Sequence, residues 1–227
     1  MCLGHTHAAS GACAGLLAGI LLGRSIPADA ALAGFTAGFA TFPDLDVCGS
    51  GPARVLGPVS ESLAWVIGKL SGGHRHLTHS IAGVGIFTGL AILAAHFRSD
   101  IGGRAGLMLL LTVGFSAGLW GLRIAQGARG DFLALAGTAA VTWLGVGLVL
   151  VPLAVAIGCA VHITGDLCTD SGCRLAYPFS DRRFHLLPEP LAFTTGTKPE
   201  LWLVDPALMV LLGLLSWHAV TLSLHLS

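Results

Sequence analysis

Long apolar blocks separated by short polar segments dominate the pattern of this chain. Several blocks reach the roughly 20 residues that a helix needs to cross a bilayer, and others are shorter. The blocks are Ala8–Gly23, Ala30–Phe42, Ser80–Phe97, Ala105–Ile124, Phe132–Val161 and Leu201–Leu226. The pattern predicts an all-α, polytopic membrane bundle that forms a single domain over residues 1–227.

The polar segments and the glycines add detail to this bundle. Residues Glu61–Leu70 are typical of a short amphipathic helix that lies on the membrane surface. Thr169–Glu200 is the longest polar stretch and is rich in Pro, Arg and Phe. In the first block, Gly11, Gly15 and Gly19 recur every four residues, which predicts a stripe for close helix packing.

Composition excludes several classes of protein. The chain is 54% hydrophobic and 11% charged, against about 25% charged residues in an average soluble domain. Its 12 basic and 12 acidic residues cannot cover 227 residues with a polar surface. The net charge is zero, so the overall balance gives no sign of nucleic-acid binding. The six cysteines have no CxxC spacing and indicate no disulfide framework.

Histidines and aspartates are concentrated at the ends of the apolar blocks. A carboxylate beside hydrocarbon is costly and is usually retained for function or because it binds a cation. Helix capping is the alternative, but caps favour Ser, Asp and Asn and do not call for several histidines. We therefore predict a metal site whose ligands are His7, Asp44, Asp46, His74, His79, His162 and Asp166.

Local spacing supports this ligand set. His162 and Asp166 are four residues apart, so they share one face of a helix. Pro43 restricts the residue before it to extended geometry, so the helix breaks there and the following carboxylates can turn to the site. Thr78 or Ser80 is available as a helix cap or as a donor behind the ligands.

The ligand types predict the metal. Imidazole favours zinc, while carboxylates leave manganese or magnesium open. A mixed His/Asp set with more than four members predicts two divalent ions about 3.5–4 Å apart, which is the arrangement used for phosphoester hydrolysis.

A shared site also fixes the topology, because the helix ends that carry the ligands must lie on one membrane face. The segment 132–166 must then leave that face and return, which predicts a re-entrant segment or a short hairpin turning near Gly145–Pro152. The three basic residues on the opposite face are Arg24, Arg98 and Arg104. The nine on the site face are Arg54, Lys69, Arg75, Arg123, Arg129, Arg174, Arg182, Arg183 and Lys198. This asymmetry predicts a cytoplasmic site face, unless some of these arginines bind substrate.

At these motifs the chain resembles the YdjM-type inner-membrane proteins, which are described as metal-dependent hydrolases. The resemblance covers most of the chain. It rests on Thr6-His7 with Gly11, Phe42-Pro43-Asp44-Leu45-Asp46, His74-Arg75 with Thr78-His79-Ser80, His162-x-x-x-Asp166-x-x-Thr169-x-x-Gly172, Tyr177-Pro178 and Gly196-x-x-x-Glu200. It implies the same seven metal ligands, with Glu200 as a further acidic site residue. The chain departs from the family at His76, where a small residue is usual, and at His5, which could compete with His7.

Two functions remain open. In the first, the protein is a hydrolase of a lipid or lipid-linked phosphoester, with Glu200 as general base and Arg75 and Arg183 on the phosphate. Glu200 could instead cap the final helix, and the arginines could contact headgroups or solvent. In the second, the protein is a non-catalytic transporter or sensor that binds metal. A transporter is expected to hold its ligands near the bilayer midplane, whereas these lie at segment ends, which favours the hydrolase. The substrate and the oligomeric state are left open.

Overall fold

The protein is an all-helical bundle. The computed structural model describes residues 3–144 and 148–226, and the regular structure within those ranges is helical, without strands. The helices are α1 (Gly4–Leu21), α2 (Ile26–Phe39), α3 (Gly51–Arg54), α4 (Pro58–Leu70), α5 (Ile81–His96), α6 (Ile101–Gly121), α7 (Gly127–Leu144), α8 (Val151–Leu167) and α9 (Asp205–Leu226). Short 3-10 segments lie at Phe42–Asp46, Leu77–His79 and Leu148–Leu150, and Glu200–Val204 is π-helical.

The apolar blocks correspond to these helices. Three of the segments described are long and apolar enough to cross a membrane, namely Ile101–Gly121, Leu148–Leu167 and Glu200–Leu224. The block Phe132–Val161 is divided between α7 and α8, which confirms two helices in place of one long one. The predicted turn near Gly145–Pro152 falls partly on residues 145–147, which lie outside the described ranges.

The predicted amphipathic helix is present as α4, and its position at a membrane surface stays a prediction. Val59, Leu63 and Leu70 are exposed along one side of it, whereas Ser60 and Ala64 are buried against the protein. An apolar stripe that faces outward on a helix at the membrane surface is what an interfacial helix requires.

Helices α1 and α2 pack on each other and form the centre of the bundle. Helices α6, α8 and α9 each contact both of them. The core between them includes Leu32, Phe35, Phe39, Leu111 and Val155. The glycine stripe of α1 permits this packing. A Cβ on Gly11 would lie 2.6 Å from the Cβ of Ala40, and one on Gly15 would lie 2.7 Å from the carbonyl oxygen of Leu32.

We therefore expect Gly15→Leu to destabilise the protein by about 1–3 kcal/mol or more, because the new side chain must displace the backbone of α2. The matched control is Gly89→Leu on α5, since Gly89 is exposed and a Cβ there meets nothing within 4 Å. The measurement is the apparent melting temperature of both variants in detergent. Equal melting temperatures would contradict the close approach of α1 and α2.

This packing brings four helix ends to the same end of the bundle. Helix α1 begins there, α2 ends there and is followed by Phe42–Asp46, α5 begins there after Leu77–His79, and α8 ends there. The long segment from Thr169 to Glu200 covers the same end, and two isolated bridges, Thr169 to Phe193 and Cys173 to Phe184, order it.

Candidate metal centre

The structure brings the seven predicted ligands together from separate elements. His7 lies in the first turns of α1, and Asp44 and Asp46 lie in the 3-10 segment after α2. The remaining four are His74 in the turn after α4, His79 before α5, and His162 and Asp166 one turn apart at the end of α8. All except His74 are buried.

Two imidazole nitrogens and two carboxylate oxygens lie close together at the centre of the cluster. The two Nε2 atoms of His79 and His162 are 3.1 Å apart. His79 Nε2 lies 3.5 Å from Asp44 Oδ1 and 3.6 Å from Asp166 Oδ2. His162 Nε2 lies 3.7 Å from each of the same two oxygens. Ligands at bonds of 2.0–2.1 Å around a tetrahedral ion are about 3.3 Å apart, so a small contraction of this group fits zinc.

Unsatisfied atoms in the cluster also call for a cation. Both ring nitrogens of His7 and the Oδ1 atom of Asp44 are buried and have no hydrogen-bond partner among the described residues. The His7 ring stacks on the His162 ring with centroids 3.7 Å apart, and its Nε2 lies 3.4 Å from Asp166 Oδ1. Leaving a buried polar group unpaired costs about 1–3 kcal/mol. A metal ion would remove part of this cost, because it would bind the lone pair of one His7 nitrogen and of Asp44 Oδ1, while the other His7 nitrogen carries the ring proton.

The donor atoms group into three overlapping triads. They are His7, Asp44 and His162; Asp44, His74 and His79; and His79, His162 and Asp166. Asp44, His79 and His162 each belong to two triads. These imidazole nitrogens and carboxylate oxygens could hold one divalent ion or two, and both donor types bind zinc.

Contacts behind the ligands fix their orientation. His162 Nδ1 lies 2.7 Å from the carbonyl oxygen of Ala40, so Nδ1 donates a proton there and Nε2 presents its lone pair to the cluster. Ser80 accepts a hydrogen bond from the backbone of Gly83 and so caps α5.

Asp46 organises the histidines beside it. It accepts a hydrogen bond from Thr78 Oγ1 at 2.6 Å, lies 2.9 Å from His74 Nδ1, and lies 3.6 Å from His79 Nδ1. These contacts favour orientation of the two imidazoles, while direct binding of metal by Asp46 stays a prediction.

Arg75 has a role that sequence reasoning did not find. Its Nη2 lies 2.9 Å from Asp166 Oδ1, and its Nη1 donates to Thr169 Oγ1 and to the carbonyl oxygen of Gly172. The guanidinium thus holds a carboxylate of the cluster and ties it to the loop after α8. Arg75 also has a positive φ of 61°, a conformation that costs about 1–3 kcal/mol and persists where surrounding contacts enforce it. This geometry favours positioning of Asp166 over phosphate binding.

Glu200 also has a position that differs from the one expected for a general base. It is fully buried, and its two carboxylate oxygens accept hydrogen bonds from the backbone amides of Leu3 and Gly196 at 2.6 and 2.7 Å. The contacts favour an anchor between the start of α1 and the start of the last helix. Catalysis by Glu200 stays a prediction. Arg183 is exposed in the loop between α8 and Glu200, where it is accessible to a ligand from solution.

The residues that depart from the family pattern lie beside the cluster. His5 Nε2 lies 3.1 Å from Asp205 Oδ2, and His5 Nδ1 lies 3.1 Å from Arg123 Nη2. His76 Nδ1 contacts the carbonyl oxygen of His74, and its ring packs edge-on against Tyr177. Neither histidine belongs to the three triads.

The chain matches the family described as YdjM inner membrane protein over residues 1–223. It belongs to this family. No curated protein and no solved structure matches it. The match confirms the resemblance drawn from the motifs and the membrane class, and the family's description names no reaction.

The charges of the cluster determine how protons compete with metal. Burial alone would lower the pKa of His79, but the carboxylates of Asp44 and Asp46 beside it outweigh burial and raise the pKa to about 9. Burial alone would raise the pKa of Asp46, but hydrogen bonds to His74 and His79 hold it well below its usual range. The metal-free site therefore keeps a proton on His79 at neutral pH, and metal binding must displace it.

We expect zinc affinity to rise as the pH is raised from about 6.5 to about 9. In the metal-free protein, the raised pKa of His79 contributes stability that is fully present below pH 6.5 and is lost as the pH passes through about 9. The measurements are zinc titrations against a competing chelator and melting temperatures of metal-free protein over this range. A pH-independent zinc affinity would contradict the proton on His79.

We also expect Arg75→Met to lower zinc affinity by about 10–100-fold, as is typical when a residue that orients a metal ligand is lost. Arg183→Met is the matched control, because Arg183 is exposed and should leave zinc affinity unchanged. The same chelator competition measures both variants. An unchanged affinity in Arg75→Met would show that Asp166 is positioned without this ion pair.

Proposed function

We propose that this membrane protein is a metal-dependent hydrolase that acts on a phosphoester of a lipid or lipid-linked substrate. The observation that carries the proposal is the convergence of donors from five separate elements at the ends of bundle helices. The six donor residues of the three triads exceed the four of a single tetrahedral ion, and overlapping triads that share Asp44 suit two neighbouring ions. Zinc is the proposed metal, with manganese or magnesium as alternatives.

One side of the cluster differs from the rest in its access to water. The side chain of His74 is 33% exposed, whereas those of Asp46, His79 and Asp166 are fully buried. Catalytic metal sites keep a coordination position open, and structural sites are closed. We therefore assign the catalytic position to the triad of Asp44, His74 and His79. A divalent ion held there would supply Lewis-acid activation of water and of a phosphoryl oxygen.

The other residues of the cluster and the loop beside it have separate roles in this proposal. His7, His162 and Asp166 form the closed side of the site. Asp46 keeps His74 and His79 in place through the contacts described above. Arg183 lies on the exposed loop that covers this end of the bundle, and its forked guanidinium suits a phosphate. The basic residues of this end support a cytoplasmic site face.

A non-catalytic metal-binding protein, as a sensor or transporter, is the second candidate. One observation favours it: His79 and His162 are buried, and the Nε2 atom of each lies 3.5–3.7 Å from a buried oxygen of Asp44 and of Asp166. A complete set of four protein ligands is typical of a structural zinc site.

The two candidates are separated by metal analysis followed by a hydrolysis screen on the same preparation. Protein purified in detergent is analysed for metal per chain and then tested on phospholipids and soluble phosphoesters. Metal-dependent turnover that is lost in His74→Ala, together with the ion of the Asp44, His74 and His79 triad but not the ion of the closed side, supports the hydrolase. Protein that carries its full metal content and hydrolyses none of these substrates supports the second candidate.

Two further variants test the division of roles. Asp166→Ala is expected to lose metal and thermal stability together, because metal binding is linked to folding. Arg183→Ala is expected to keep wild-type metal content and to lose about 10²-fold in turnover, because it would remove stabilisation of transition-state charge. Metal per chain, melting temperature and turnover are measured on each variant. Loss of metal in Arg183→Ala, or retention of metal and activity in Asp166→Ala, would show that the roles are wrong.

A further inference from the structure

An exposed apolar stripe runs along one side of α4. Its members are four, three and four residues apart, a spacing that places them on one face of a helix. They are Val59, Leu63, Val66 and Leu70, and each is between 41 and 77% exposed. The other exposed side of the helix carries Glu61, Ser62 and Lys69. An exposed apolar face beside a polar one is typical of a helix that lies in the membrane interface.

This stripe ends beside the exposed edge of the metal centre. Leu70 is the last residue of α4, and the turn that follows it carries His74. A hydrogen bond from the backbone amide of Leu77 to the carbonyl oxygen of Ser71, at 3.2 Å, closes that turn. The side chain of His74 is 33% exposed. The edge of the metal centre that is open to its surroundings therefore lies next to the end of the stripe.

The long loop after α8 borders the same edge with a further exposed apolar side chain. The ring of Tyr177 packs edge-on against the ring of His76, with centroids 5.2 Å apart, so the loop rests on the turn after α4. Phe179 stands two residues further along and is 92% exposed. Arg182 and Arg183 follow it and are exposed as well. An exposed aromatic side chain beside arginines suits the boundary between acyl chains and lipid phosphates.

Helix α5 indicates the level of the hydrocarbon at this end of the bundle. Its outward side is apolar from its first residue, since Ile81, Leu90 and Leu93 are all more than half exposed. Its 16 residues span about 24 Å, slightly less than the hydrocarbon core of about 30 Å, so Ile81 lies at the edge of the hydrocarbon. The backbone amide of Ile81 donates to the carbonyl oxygen of Leu175 at 3.0 Å. The loop therefore lies at the level of the lipid headgroups.

We propose that the stripe of α4 and Phe179 insert into the membrane interface and form a lateral entrance, through which a phospholipid of the surrounding leaflet presents its phosphate to the exposed side of the metal centre. The acyl chains stay beside the apolar side chains of α4 and α5, the phosphate reaches the triad of Asp44, His74 and His79, and the headgroup beyond it faces water. This sequence is the order of the groups along a phospholipid. The proposal rests on the proposed hydrolase function and names the source of its substrate.

Photo-crosslinking in membranes tests the lipid contact without any need for activity. p-Benzoylphenylalanine replaces Leu63 or Phe179 in the full chain, the membranes are irradiated, and adducts are identified by mass spectrometry. We expect phospholipid adducts at both positions. Glu61 is the matched control, because it is exposed on the same helix but about half a turn away from Leu63. Yields of lipid adduct at Leu63 and Phe179 that do not exceed the yield at Glu61 would overturn the proposal.

Turnover tests whether this entrance serves the metal centre. Leu63→Glu places a charge on the stripe, so we expect the ratio of turnover on phospholipid vesicles to turnover on the soluble diester bis(p-nitrophenyl) phosphate to fall by about tenfold or more. Ser62→Glu adds the same charge on the polar side of the helix and should leave the ratio at its wild-type value. Phe179→Glu is the second variant, since its side chain is almost fully exposed and its loss should not disturb folding.

Melting temperature and metal content verify that each variant is folded. A wild-type ratio in both Leu63→Glu and Phe179→Glu, or turnover of the soluble diester without turnover of phospholipid, would overturn the lateral entrance while the hydrolase function stands. A wild-type chain that hydrolyses neither substrate would contradict the hydrolase function instead, and the cross-linking yields then decide the membrane contact on their own.

Discussion

Compensation of buried negative charge is the constraint on which this structure depends. Asp44, Asp46 and Asp166 are withdrawn from water in a chain with few charges, and a buried carboxylate without a partner costs several kcal/mol. Imidazoles and one guanidinium lie 2.9–3.7 Å from these carboxylates. Asp44 and Asp46 follow α2, and Asp166 lies at the end of α8. Their histidine partners lie at the start of α1 and before α5, so the buried charges are paired only when these four helix ends come together. A bound divalent cation strengthens the same requirement.

Small residues make this meeting possible. Helices in lipid gain little from apolar burial, so they associate through close packing and hydrogen bonds. Gly158 of α8 shows the connection to the site. A Cβ on it would lie 2.7 Å from the backbone nitrogen of Ala40, and one turn further along α8 the His162 ring reaches the carbonyl oxygen of Ala40. The close approach of two helices thereby fixes the direction of the His162 ring, a candidate metal ligand.

The helices could be predicted from sequence because long apolar blocks mark them. The convergence of the helix ends could be predicted only by assuming that residues at the block ends, such as His7 and His162, share one site. The detailed roles could not be predicted. Asp46 stands two residues after Asp44 but turns behind the histidines, Arg75 turns inward to Asp166, and Glu200 binds backbone amides. These directions are set by turns without a hydrophobic period, where sequence pattern carries no information on side-chain orientation.

The last helix connects the two ends of the molecule. Glu200 fastens its start to the amides of Leu3 and Gly196, and Cys13 of α1 contacts the carbonyl oxygen of Leu208. Beyond that point α9 borders a cavity that Asp29 also lines, and its outer side chains, such as Val210, Leu214 and Trp217, are exposed. The position of the last helix is therefore set by buried polar contacts at its start and by apolar packing beyond them.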